Sequence, residues 1–303
     1  MVTKKTPEEI ETLRHGGRLL AKVLADVADA VRPGISAKEL DTLAEELIHK
    51  VGGKPSFKGY NPYGAPIAYP AALCVSINDE VVHAIPKKNR ILQEGDLVSL
   101  DIGMFWPTVA TSNTQPAYTE VSAGRQATSP TDSDGKPASK NSKFKIQNSK
   151  FDEVRPMATD MAITVGVGKI SPSAEKLLRV TKESLARGIA VVRDGVRVGD
   201  IGFAIQSHLE KHGFGVVRDL AGHGVGYKVH EDPFVPNYGE KGKGIVLEEG
   251  MVIAIEPMAT EGTWKVKVDE DEWAFRTADG KLAAHFEHTV VITKNGCEVV
   301  TKL

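Results

Sequence analysis

The apolar positions of the chain follow a helical period and then a strand period, and that succession occurs twice. After Thr6-Pro7-Glu8-Glu9, residues Ile10, Leu13, Leu20, Leu24, Val27 and Val31 keep the spacing of one helix face. Thr6 suits the N-cap, Pro7 the first helical position, and Glu9 completes a capping box, so a helix is predicted to start there. Pro33-Gly34 ends it. Ser36 and Glu39 form a second capping box, and Leu40, Leu43 and Leu47 carry another apolar stripe to Gly52-Gly53. A second helix pair is predicted from about Pro172 to Val192, and from beyond Gly195 to near His212-Gly213. The turn at Val31-Arg32-Pro33-Gly34 matches the one at Val192-Arg193-Asp194-Gly195, with their glycines 161 positions apart (195 − 34). Strand-like segments follow each pair: LCVSINDEVVHAI and LVSLDIGMF in the first half, MVIAIEPM and HFEHTVVIT in the second. The pattern predicts an α+β fold made by internal duplication.

Residues 107–154 break the order. They are dominated by Ser, Thr, Lys, Asn, Asp and Pro, with too few large apolar residues to bury a core. Asn141-Ser142-Lys143-Phe144 recurs there as Asn148-Ser149-Lys150-Phe151. A single domain over residues 1–303, interrupted by a flexible surface insertion at 107–154, is the expected organisation.

Composition narrows the function classes. The 303 residues are 41% hydrophobic and 26% charged, as in ordinary globular proteins. A formal net charge of −2 provides no field for nucleic acid or an anionic membrane. Only Cys74 and Cys297 occur, without a CxxC, so no disulfide framework is expected and a reducing cytoplasm fits. The start, MVTKKTPEEIETLRHGG, lacks the apolar stretch of a secretory signal, and no run approaches the ~20 apolar residues of a membrane span.

The chemistry lies in acids set inside apolar strands. Asp101 sits in VSLDIGMF, Asp160 in MATDMAITVG, Glu256 in MVIAIEPM and Glu287 in HFEHTVVIT. A buried carboxylate without a partner costs several kcal/mol or takes up a proton, so each needs a cation. The strands of Glu256 and Glu287 carry no Lys or Arg of their own. AGHGVGYKVHEDP adds His223 and His230, seven apart, which a straight strand would put on opposite faces. Gly222, Gly224 and Gly226 let the backbone bend, so both rings can face one cavity. Four carboxylates and an imidazole suit a pair of divalent ions of the Mn, Fe, Co or Zn kind, as in a dinuclear hydrolase.

Together, INDEVVHAIP, LVSLDIG, AGHGVGYKVHEDP, IAIEPM and FEHTVVIT resemble the motifs of the methionine aminopeptidases, most of all the bacterial type I enzymes, in order and approximate spacing. The resemblance covers nearly all of the chain except residues 107–154. It implies the pita-bread fold, two pseudo-symmetric α+β halves around a central antiparallel sheet. It also implies removal of the initiator methionine from nascent polypeptides whose second residue is small, through attack of a metal-bridging hydroxide on the scissile carbonyl. On this resemblance Asp101, Asp160, His223, Glu256 and Glu287 hold two divalent ions (Co, Mn, Fe(II) or Zn), with Asp160 and Glu287 bridging. Glu256 also moves the proton, His83 stands beside the substrate's α-amine, and His230 bonds the scissile amide. Tyr69, Cys74 and Trp273 fall at places that line the methionine pocket. A monomeric cytoplasmic enzyme acting on nascent N-termini follows, with no DNA or membrane partner and with ribosome contact through the Lys136–Lys150 stretch as a further expectation. The main departure is the 59-position gap between Asp101 and Asp160 (160 − 101), which the family keeps short on one hairpin. A long loop at the tip costs only a few kcal/mol, because closure entropy grows as about (3/2)RT ln n.

Overall fold

The computed structural model describes residues 2–62, 67–108 and 155–303. The expected insertion and the lysine-rich stretch within it therefore lie, from residue 109 to residue 154, outside the described residues. Four helices form where the stripes predict them: α1 Pro7–Asp29, α2 Ala37–Lys50, α3 Pro172–Ala190 and α4 Val198–Lys211. Both capping boxes are made, with Thr6 and Ser36 each accepting from the N3 amide while Glu9 and Glu39 reach back to the cap amides. Ser171 caps α3 through the Ala174 amide.

The helices cover a large antiparallel sheet. Strand Leu97–Trp106 pairs along its whole length with Met157–Gly166, so the two strands flanking the expected insertion form one hairpin stem. Met157–Gly166 pairs in turn with Glu287–Thr293, which pairs with Val252–Ile255. Ala221–Gly224 and Glu231–Pro236 complete that side. Leu20, Leu24 and Val27 of α1 and Leu40 and Ile48 of α2 pack on Leu73, Leu100 and Ile102, forming one core. Leu177 and Val180 of α3 and Ile201 and Ile205 of α4 pack on Ile253, Ile255 and Val290, forming the other. Each fully buried Leu or Ile contributes about 1.5–3 kcal/mol.

The duplication is visible bond by bond. Gly34 N donates to Leu92 O, and Leu92 N to Ile35 O; Gly195 N donates to Leu247 O, and Leu247 N to Val196 O. Gly34 and Gly195 have φ of +89° and +81°, the left-handed region that favours glycine, so both turns need that residue. Gly95 N bonds Val167 O, as Gly250 N bonds Ile292 O. Helix positions therefore correspond at 161 (195 − 34), and the inner strands at 155 (250 − 95) and 125 (292 − 167). The two halves meet where Glu287 pairs with Ala162 and His288 with Met161.

Candidate active site

Sheet pairing places the acids. Asp160 stands opposite Gly103, two residues along from Asp101, so the hairpin stem brings both aspartates together despite their distance in sequence. Glu256 lies at the offset of Asp101 (256 − 101 = 155). It falls just past strand Val252–Ile255, and Pro257 follows, ending the strand as expected. Glu287 opens strand Glu287–Thr293 at the junction of the halves.

His223 and His230 reach one cavity because the chain between them turns back. A Cβ at Gly222 would run into the Ala254 carbonyl oxygen and one at Gly224 into that of Asp232, so close approach of neighbouring backbone requires glycine at both. The two rings end 4.2 Å apart, centroid to centroid. His230 Nδ1 meets the Tyr60 hydroxyl at 2.6 Å. The next residue, Glu231, is tied to the N-terminal segment: its carboxylate accepts from Lys5 Nζ at 2.7 Å and from the Thr3 hydroxyl at 2.8 Å.

These side chains line a cavity of about 870 Å³. Donor atoms of Asp160, His223 and Glu287 all lie within 4.8 Å of one another. His223 Nε2 is 4.0 Å from Asp160 Oδ2 and 3.7 Å from Glu256 Oε1. Asp101 and Glu256 flank that trio, and their charges act on it. On one wall Tyr69, Cys74, Phe57 and Val229 pack together with Tyr60 and Trp273, the Tyr69 and Trp273 rings 5.1 Å apart and edge to face. His83, at φ +62°, meets Phe275 edge-on, and both line the same cavity.

The electrostatics call for a cation. Burial, then the charges of neighbouring acids, pushes Asp160 and Glu287 well above the usual carboxylate range. Burial raises Asp101 to about 7 and Glu256 to about 8. Burial also holds the histidines neutral, with His83 and His230 at about 3 and His223 at about 4. Asp101 Oδ1 and Glu287 Oε1 are buried without a hydrogen bond to any described residue. His223 Nδ1 donates to the Gly224 carbonyl at 2.9 Å, which leaves the Nε2 lone pair facing the acids. Crowded anionic oxygens, orphaned acceptors and a pre-set imidazole tautomer fit divalent metal, which would relieve every one of these costs.

The sequence pattern did not reveal three neighbours. Tyr60 and Phe57 lie in an irregular segment with no periodic signal. His285 stands two residues before Glu287, and that spacing on an apolar strand was the available clue.

The family model for metallopeptidase family M24 matches residues 11–117 and 153–294. A methionine aminopeptidase of Aquifex aeolicus is 42% identical over 97% of this chain and 96% of its own length. One from Clostridium acetobutylicum is 39% identical over 99% of each chain. The crystal structure of methionine aminopeptidase from Thermotoga maritima superposes with a TM-score of 0.80 at 39% identity, covering 100% of both chains. An Xaa-Pro dipeptidase from Bacillus anthracis, 18% identical with a TM-score of 0.65, shares the fold. With matches of this extent, the chain belongs to metallopeptidase family M24 and, within it, to the methionine aminopeptidases.

Proposed function

We propose that this chain is a divalent-metal-dependent aminopeptidase that removes the initiator methionine from nascent polypeptides whose second residue is small. The observation that carries this reading is the convergence of Asp101, Asp160, His223, Glu256 and Glu287 on one cavity, beside the Tyr69, Cys74 and Trp273 wall. Those five side chains would hold two divalent ions, which would supply Lewis acidity and a nucleophilic water at neutral pH. The residues do the rest. The apolar and aromatic wall receives an unbranched methionine side chain and keeps bulk water from it. His83 faces the substrate's α-amine; as a neutral imidazole it accepts a hydrogen bond without repelling the ammonium. His230, held by Tyr60, donates to the scissile carbonyl oxygen as negative charge develops there. Glu256 takes a proton and returns it to the leaving amine, a role that suits a carboxyl whose proton affinity burial has raised.

Acting on the N-termini of new polypeptides, the enzyme would work in the cytoplasm. In the described residues no helix is long and apolar enough to cross a membrane. The test is release of Met from Met-Ala-Ser with added Mn, Co or Fe(II), beside an Asp160→Ala control and an Ala-Pro peptide. Metal-dependent release of Met alone, lost in the control, is expected. Preferential cleavage of the Ala-Pro peptide, or release that ignores metal, would overturn the reading.

A further inference from the structure

His285 is a buried imidazole at the end of strand Ala283–His285 that the five-residue set does not use. It is 1% exposed, and neither ring nitrogen hydrogen-bonds any described residue. Such a ring is costly unless something compensates it.

Its place follows from the duplication. At the offset of 125, His285 corresponds to Asp160 (285 − 160) and Thr289 to Thr164 (289 − 164). The hydrogen bonds repeat in the same sense. The Thr289 hydroxyl accepts from Asp160 N at 2.9 Å and donates to Asp160 O at 2.8 Å. The Thr164 hydroxyl accepts from His285 N at 2.8 Å and donates to His285 O at 2.8 Å. Ser99 Oγ lies 2.8 Å from the Thr164 hydroxyl and tightens the second clamp. In each half, then, a threonine grips one backbone unit across the junction; one of the gripped residues is Asp160, the other His285.

The ring is aimed at one partner. His285 Nε2 is 3.4 Å from Glu256 Oε2, while Glu256 Oε1 is 3.7 Å from His223 Nε2. Among the described residues no other Lys, Arg or His comes within ion-pair distance of that carboxylate. The carboxylate is therefore bracketed by two imidazoles, one on each oxygen.

We infer that His285 is a positioning residue for Glu256. Its Nε2–H is placed to donate to Oε2, which turns Oε1 toward the Asp160, His223 and Glu287 donors. This rests on the proposed role of Glu256 in holding metal and moving the proton. Outer partners of metal ligands typically govern affinity or rate by about 10- to 100-fold.

The experiment uses the full chain as wild type, H285L (no donor), H285N (an amide that stops short of Glu256) and H285Q (an amide long enough to reach it). Co(II) binding isotherms, the Co(II) visible spectrum, kcat and KM on Met-Ala-Ser and the melting temperature without metal are recorded for each. H285L and H285N should lose about 10- to 100-fold in Co(II) affinity and kcat with KM unchanged. H285Q should recover most of both. In an E256Q background, H285L should change Co(II) affinity no further. H285N and H285Q carry the comparison if the leucine variant does not fold. Wild-type affinity, spectrum and kcat in H285L and H285N would overturn the inference, as would equal losses with and without the Glu256 carboxylate. A wild-type protein that releases no Met would sink the proposed function instead, and the Co(II) data alone would still decide the role of His285.

Discussion

The N- and C-terminal halves carry the same turns and the same strand exchange, yet they treat the strand ends differently. In the first half Asp101 and Asp160 lie inside two unbroken ten-residue strands. In the second, the chain leaves strand Val252–Ile255 at Glu256-Pro257 and re-enters a separate three-stranded sheet at Met258–Thr260, beside Ala283–His285 and Gly215–Val216. Proline cannot donate to the ladder, so the strand must stop there. One half thus provides a continuous strand floor, and the other opens into a cavity lined by His223 and His230. The helices differ in parallel. Asp41 of α2 is fully buried and accepts from the Ala72 and Leu73 amides, whereas its counterpart in α4 (41 + 161) is Gly202, where the Tyr238 and Pro236 carbonyls come too close for a side chain. A duplicated scaffold can thus keep its backbone bonds while exchanging a side-chain cap for direct backbone approach.

That comparison can be broken at several points. The largest effect is expected at the junction itself: Asp160→Ala should abolish Met release, and calorimetric titration should show metal affinity collapsing with it. Next comes pH. The folded-state carboxyl groups of Asp101 and Glu256 titrate at about 7 and about 8, above their ordinary values. Above the ordinary histidine value of 6.5 the buried imidazoles are neutral in both states, so there the metal-free folded state binds more protons than the unfolded chain, and its stability should fall as pH rises through 7 and 8. Thermal melts of metal-free protein at about pH 6.5 and about pH 8.5 should show the lower midpoint at the higher pH, and added Mn should restore it. A flat profile would mean that the acids do not crowd as described.

Smaller effects should separate the two halves. Asp41→Ala orphans two buried amides and should cost about 2–5 kcal/mol in urea unfolding. Gly202→Ala drives a Cβ against backbone oxygens and should cost about 1–3 kcal/mol. If Asp41→Ala proved harmless, the cap would not be what holds α2 to its strand. In the same range, Thr164→Val and Thr289→Val each remove one cross-junction hydroxyl and should cost about 1–3 kcal/mol apiece. Equal costs would support the equivalence of the two clamps, and a strong asymmetry would argue against it.

Much of this was legible in the chain. The capping boxes at Thr6 and Ser36 and the apolar stripes set four helices within a few residues, because caps and periodicity are local signals. The repeated turns at Gly34 and Gly195 announced the duplication, since each backbone turn needs a left-handed residue. The four acids stood out because a carboxylate in an apolar strand is an unpaid electrostatic cost, and His223 because glycines flank it. Tyr60 and Phe57 could not be found this way: they lie where no period operates, and only folding brings them to His230 and Tyr69.

By itself, then, the sequence determined the class of elements, the repeat, and which side chains demand a cation, because propensity, capping and burial cost act over a few residues. The tertiary structure alone decided that strands 59 positions apart in their aspartates form one hairpin stem, and that the loop from His223 to His230 closes both rings on one cavity. It also decided that His285 takes, in the second clamp, the place that Asp160 takes in the first, and that it faces Glu256. These are matters of strand register and of distance across the junction between halves, which depend on how long-range pairing and packing bring separate segments together.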